Sequence, residues 1–531
     1  MYSTMTILKK PISQWTINFI KSPDIYQGLL ITSFAFITLI GILNHAMWRD
    51  ELNGWLIARD SSSLSHFLNN IKYEGHPILW YLFLGILNQL TPNPLAMQLF
   101  HWLIATGCIA FFVIFSPFTK FQKTLFTFGY LPIYEYSLIS RNYSIGLFSL
   151  FLFCCCFRTR HTSYIPLALI LAIMANTNAY CLLISLALGL TLIVEYLMQK
   201  LLNYNSSSNR INILIALGIF SVGIVVSVWM LLPPQDSTLQ GGASQWFLQF
   251  DWTRLNQTLT RIWRSYILIL IPSDKKPTDL FIFAILSLGL LGFTSTIFIK
   301  KPVALFFYLF SSLELLLFTY LKFLGSARHY GHLYIILIVA WWIGSYYQNS
   351  NLLIDFLAKL PQRFKVLWLN WLTFVNRYKN TFLMIILSFQ LIAGIVAFSR
   401  DLLTPYSASR DTANFIKQNR LESMMIVGSE DFTISPISGY LNRQIYYPES
   451  QKLGSYVLFN EQRKVITDQE IIQQVTQLMN QKEQDILLIL NRQLDITHPT
   501  LNLLFLAKFD QAFIYNEKYY LYLIRNYSIE S

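Results

Sequence analysis

Uncharged apolar runs of about twenty residues recur along this chain, and that recurrence limits what it can fold into. They fall at 27–47, 76–91, 95–115, 124–140, 143–157, 163–179, 181–198, 211–232, 280–299, 302–321, 330–347 and 381–399. In hydrocarbon every backbone N–H and C=O must be satisfied within the segment, so runs of this length cross as helices. Charged residues make up only 13% of the 531 residues, against roughly 25% in a soluble domain. The sequence therefore predicts a mainly α, polytopic transmembrane helix bundle of about 11–13 spans, over 1–403. The first run has a basic approach (Lys9, Lys10, Lys21) and no A-x-A cleavage site, so it reads as a retained span.

Basic clusters set the expected sidedness. Lys9/Lys10/Lys21, Arg158/Arg160, Lys200/Arg210, Lys300/Lys301 and Arg363/Lys365/Arg377/Lys379 are expected on the cytoplasmic side. That places 48–75, 233–279 and everything after 400 outside, in a multi-pass protein of the plasma (inner) membrane. Lys120 and Lys123 create a conflict, because two apolar runs lie between His76 and Ser116 where one crossing fits. The short run at 76–91, bounded by "TPNP", is the one expected to lie partly along the membrane. All five cysteines fall in apolar runs with no disulfide or metal spacing. No basic stripe with interleaved aromatics lies on a soluble segment, so nucleic acid is not an expected partner, whereas membrane lipids are.

From Ser407 the texture changes. "SASRDTANFIKQN" reads as an amphipathic helix capped by Ser407 or Ser409, and "TDQE" at Thr467–Glu470 is a capping box. "SMMIVGS", "DILLILN" and "NLLFLAKF" read as buried strands, and "FIYNEKYYLYLIRN" as a terminal hairpin. Strands alternating with helices predict a small extracytoplasmic α/β domain over 404–531. "GSED" after its first strand lacks the Gly-Lys pattern of a phosphate loop and reads as an ordinary turn.

Polar residues outside the runs cluster in three outer loops. The first holds Asp50, Glu51, Asp60, Glu74 and His76, the second Glu135 and Arg141, the third Arg328, His329 and His332. Acids from separate loops suit a cation or a hydroxyl, and arginines suit a phosphate. Each residue also has a plainer reading. Asp50 or Glu51 would cap a helix beginning at Leu52, Arg141 would neutralise Glu135, Arg328 would anchor headgroups, and His101 would pack between helices. Glu314, inside a span, is set apart from the site.

The "RDE" directly after the first span, with His76-Pro77 heading the next apolar run, resembles GT-C superfamily glycosyltransferases. The resemblance is to the branch of protein O-mannosyltransferases and lipid A aminoarabinose transferases. "RHYGH" resembles that branch's Arg-containing motif in a late outer loop, and the external C-terminal domain also fits. The resemblance implies an inverting transfer from a polyprenyl-phosphate sugar donor to a hydroxyl of a lipid, glycan or protein acceptor. Asp50 would be the base, Glu51 would orient it or contribute to a cation site, and Glu135 would be a second acid. Arg141, Arg328 and His329 would hold the donor phosphate, with Glu74 and His76 in support. A divalent metal at Asp50 and Glu135 is the candidate cofactor. The alternatives are a lipid-linked substrate transporter or flippase, a surface-polysaccharide polymerase or ligase, and a scaffold whose tail is the working part. The charges sit in outer loops and no internal repeat stands out, which argues against the transporter. The Asp-Glu pair argues against the polymerase.

Overall fold

Asp24 opens the first helix, α1 (Ile25–Asn44), by accepting the Gln27 N–H at 2.8 Å while the Gln27 side chain accepts the Asp24 N–H. In the computed structural model, residues 24–198, 209–239, 246–357, 361–494 and 502–525 are described. Lys9, Lys10, Lys21 and Lys200 lie outside them, as does the side chain of Arg363.

Two short polar helices follow α1, α2 (Arg49–Asp60) and α3 (Leu64–Ile71). The bundle continues with α4 (Leu79–Leu90), α5 (Leu95–Phe115), α6 (Lys120–Thr127), α7 (Tyr143–Cys156), α8 (Ile165–Ala175) and α9 (Ala179–Leu197). It closes with α10 (Arg210–Leu231), α11 (Trp252–Tyr266), α12 (Pro277–Ile297), α13 (Pro302–Leu321), α14 (Ala327–Gly344) and α15 (Gln362–Leu403). Among the described residues, eight helices are long and apolar enough to cross a membrane. The chain is a multi-pass membrane protein. Helix α14 is buried from His329 to Ala340 without a break, as an all-round apolar helix must be, and forms the centre of the bundle. Helices α10 and α12 face outward, with Leu214, Val222, Val225, Phe281 and Ile285 all more than half exposed.

Eight is fewer than the 11–13 spans expected, and the structure differs from expectation at several places, among them the run 163–179, which is the 11-residue helix α8. The run 124–140 is not a span. Helix α6 ends at Thr127, and a π-turn at Leu131–Glu135 follows, where Pro132 has no N–H to continue a regular ladder. The loop 233–279 contains α11, an amphipathic helix capped by Asp251 that packs on α12 and α14 and buries Arg261 and Arg264. Helix α4, of 12 residues, starts and ends on one side, because Pro92–Leu95 just past its end share a recess with Leu43 and Met47 at the end of α1, and Gln98 donates to the Ile42 carbonyl at 2.8 Å. It does not cross, and this removes the conflict at Lys120. Lys120 lies beside the N-terminal end of α1, 3.1 Å from Asp24, so α5 alone carries the chain to that end. Arg158 and Arg160 follow the far end of α7, where Arg160 pairs with Glu195 at 2.9 Å.

At 42 residues α15 is roughly 63 Å long, and its second half leads into the C-terminal domain. Gly394 lets this helix touch the turn before the π-segment. A Cβ there would lie 2.6 Å from the Phe128 carbonyl oxygen and 3.0 Å from the Tyr130 nitrogen. Because backbone cannot swing aside, Gly394→Ala is expected to cost about 1–3 kcal/mol. The readout is the melting temperature of the purified protein, and an unchanged value would show that the contact is looser than this.

The C-terminal domain has α16 (Ser409–Gln418), β1 (Met425–Ser429), α17 (Asp431–Leu441), β2 (Ile445–Tyr447) and β3 (Lys452–Gly454). It ends with α18 (Asp468–Lys482), β4 (Ile486–Leu490), β5 (Asn502–Phe509) and β6 (Tyr519–Arg525). The sheet order is β3-β2-β1-β4-β6-β5, with β1 parallel to β2 and β4 and the outer pairs antiparallel. Thr467 and Glu470 form the expected capping box. Strand β5, expected to be buried, is an edge strand that leaves Leu504 and Phe505 about half exposed. It supplies the hairpin partner of β6, and "FIY" lies in the connection.

Candidate active site

Helix α2 follows an extended Trp48 and begins at Arg49, three residues earlier than Leu52. Neighbouring residues on an α-helix point about 100° apart, and here Asp50 and Glu51 turn to different surroundings. Glu51 turns inward and is fully buried. It accepts the Trp48 N–H at 3.2 Å, the Ser140 N–H at 2.6 Å and the His45 ring at 3.0 Å. The cap reading therefore falls to Glu51. Asp50 turns the other way, with 27% of its side chain exposed.

Asp50 lies among three guanidinium groups. Arg328 Nη2 donates to its Oδ2 at 2.8 Å, Arg141 and Arg49 approach to 3.9 Å, and Arg141 also donates to the Asp50 carbonyl. Burial pushes the Asp50 carboxyl up, but Arg141, Arg328 and Arg49 outweigh it and hold it below the usual carboxylate range. Arg141 reaches His76 as well, donating from Nη2 to Nε2 at 2.7 Å. Arginine only donates, so His76 is neutral and carries its proton on Nδ1. Burial and Arg141 push its basicity down to about 3. That Nδ1 has no protein partner among the described residues. Glu74 accepts from Asn53 at 2.6 Å and Tyr81 at 3.3 Å, and burial pushes its carboxyl up.

These groups form one end of a cavity of about 480 Å³. Arg49, Asp50, Glu74, His76, Arg141 and Arg328 make the polar end. Val228 and Leu231 from α10, Leu232 just past its end, and Phe318 from α13 make an apolar wall, completed by Leu239 and Trp246. His329 also lines it. Its Nδ1 accepts the Ser326 N–H at 2.9 Å, so its Nε2 carries the proton. Phe432, Ser435 and Phe459 of the C-terminal domain cover the top. Asn53 fixes that cover by exchanging two hydrogen bonds with the Val457 backbone, at 2.8 and 3.0 Å.

The three loops thus meet around Asp50. Glu51 and Glu135 do not line the cavity, and Glu135 instead accepts from Tyr130 at 2.6 Å. Arg141 pairs with Asp50 and His76, not with Glu135 as its plainer reading had it. His101 lies between helices, beside Trp80 and hydrogen-bonded to Ser144 at 3.0 Å. Among the described residues no group of three or more His, Cys, Asp or Glu side chains is placed to hold a metal ion. With three arginines around Asp50 and Glu135 committed elsewhere, the donor set does not fit a divalent cation. Arg49, Asn53 and Lys322 were not among the expected site residues. Asn53 was findable, since it sits at i+3 from Asp50 on one helical face.

An amphipathic cavity between a polytopic bundle and a soluble α/β cap defines the architecture. Among solved structures it is similar to the crystal structure of ArnT from Cupriavidus metallidurans bound to undecaprenyl phosphate. The TM-score is 0.49 at 9% identity, covering 96% of this chain and 98% of that one. No family model matches the chain, and no curated protein sequence matches it.

Proposed function

We propose that the protein is an integral-membrane glycosyltransferase that moves a sugar from a polyprenyl-phosphate donor to an acceptor hydroxyl. The observation that carries this reading is the two-ended cavity, in which a carboxylate among three arginines faces an apolar wall. A lipid phosphate has the same two ends. Its isoprenoid suits the α10–α13 wall, and its phosphate suits Arg328 and Arg141, whose planar forks grip two oxygens.

The acceptor oxygen attacks the anomeric carbon while the bond from that carbon to the phosphate oxygen breaks. The acceptor proton passes to the Asp50 carboxylate, and the polyprenyl phosphate leaves as an anion stabilised by the arginines. Tied to Arg328 at 2.8 Å, Asp50 is a weak base. Donor phosphate competing for Arg328 and Arg141 removes counter-charge from Asp50 and raises its basicity as the substrate arrives. His76 offers its free Nδ1–H to the sugar or the phosphate.

The basic clusters at the Lys120 end of the bundle support a cytoplasmic placement for that end, which puts the cavity outside. The test uses sealed right-side-out vesicles, a panel of radiolabelled polyprenyl-phosphate sugars and an acceptor added externally. Label should enter the external acceptor from at least one donor. Label reaching acceptor only after the vesicles are opened would overturn the sidedness, and no transfer from any donor would overturn the activity.

A further inference from the structure

The sheet of the C-terminal domain contains a second recess that the transfer chemistry does not use. From β1 the chain leaves through α17 to β2 on one side, and it returns through α18 to β4 on the other. In open α/β sheets ligands bind where consecutive connections diverge in this way, outside the carboxyl ends of the strands. A crevice of about 540 Å³ lies at that point, between Ser429 at the end of β1 and Asn491 just past the end of β4. The volume is in the range of small-ligand sites.

Its lining is polar but balanced. Glu430, Glu449 and Asp468 face Arg463, Lys464 and Arg492. Both arginines are already neutralised, Arg463 by Asp431 at 2.7 Å and Arg492 by Asp468, so the crevice has little pull on an anion. Glu449 accepts the Ser429 hydroxyl at 2.6 Å through one oxygen. Its other oxygen is buried with no partner among the described residues. A buried acceptor left open in this way asks for a donor from a ligand. Tyr515 stands at the rim, 82% exposed, with its ring offered as a flat apolar face. Planar carboxylate, amide and guanidinium groups beside one exposed aromatic ring match a neutral ligand with many hydroxyls and an apolar ring face, which is a sugar.

The crevice is joined to the active site through one wall. Arg49 and Phe432 line the main cavity, and Arg463 and Asn516 line the crevice. Arg49 lies over the Phe432 ring at 5.2 Å and Arg463 at 5.1 Å, and Arg49 donates to Asn516 at 2.9 Å. We propose that the crevice at the carboxyl ends of β1 and β4 binds a saccharide segment of the acceptor, so that the acceptor is a glycan or glycolipid. Its role as acceptor site rests on the transferase reading above, but the binding itself does not.

Saturation-transfer NMR on the full chain in phospholipid nanodiscs tests this without a sugar-headed detergent to compete. The probe is a set of short neutral oligosaccharides released by mild acid from the producing cell's own surface glycans. The wild type should saturate the probe. Tyr515→Ala, at an exposed position, and the nearly isosteric Glu449→Gln should each weaken binding by about tenfold, the worth of one contact to a charged or aromatic group. Asp50→Asn should leave binding in place. No saturation in the wild type, full saturation in both crevice variants, or displacement of the sugar by inorganic phosphate would each overturn the proposal. Turnover is scored separately. A protein that binds the probe through these residues yet transfers no sugar supports the crevice and overturns the transferase reading.

Discussion

Asp50→Asn is expected to lower sugar transfer by about 100- to 10,000-fold while donor phosphate binding is undiminished. An amide keeps the shape but does not take the acceptor proton. It also stops neutralising Arg328 and Arg141, so both guanidinium groups stay available to the lipid phosphate. The two readouts together separate a base from a mere counter-ion. Turnover close to wild type would remove Asp50 from the chemistry, and lost donor binding would make it a scaffold for the arginines. The stability of the variant carries a pH signature. The three arginines hold the Asp50 carboxyl below its ordinary value in the folded protein. Its ion pairs are therefore fully stabilising above that ordinary value, about 4, and are lost as the pH falls through the lower folded value. The melting temperatures of wild type and Asp50→Asn should differ most near neutrality and converge in acid below about pH 4.

Much of this arrangement was legible in the chain. Apolar runs of spanning length located most helices, because hydrocarbon tolerates nothing else. Basic clusters placed three charged loops on one end, and the structure joins them at Asp50 through Arg141 and Arg328. What stayed hidden had local causes. The run around 124–140 is apolar enough to span, and only Pro132 and the Gly394 contact reveal a broken helix. Helix α11 is polar on one face because it buries Arg261 and Arg264 inside the protein, so hydropathy alone passed over it. The cover from Phe432 and Phe459 depends on Asn53 gripping the Val457 loop backbone 404 residues away, which no local pattern encodes. The pairing of Asp50 with Glu51 looked like a two-acid site, yet helical geometry separates them by about 100°.

That separation gives Glu51 a different job, with a large expected effect. It ties together four parts of the chain within a fully buried space. His45, at the end of α1, lies between Glu51 at 3.0 Å and Asp401 of α15 at 2.9 Å. Between two carboxylates, both ring nitrogens donate and the imidazole carries a positive charge. Glu51 also holds the Ser140 N–H at 2.6 Å, one residue before Arg141, and so sets where that arginine stands relative to Asp50. Removing one member of a buried charged cluster leaves the others uncompensated, at a cost of about 3–5 kcal/mol. Glu51→Ala should therefore melt well below wild type. Glu51→Gln should also be destabilised, because one face of the amide presents N–H to a group that already donates. Transfer should fall in both variants in step with the loss of folded protein. If Glu51→Gln melted like the wild type and yet transferred no sugar, Glu51 would act in the transfer itself, as an acid or by placing Arg141, and not through the fold alone. A wild-type melting temperature with wild-type transfer would mean that His45 and Asp401 hold the junction without it.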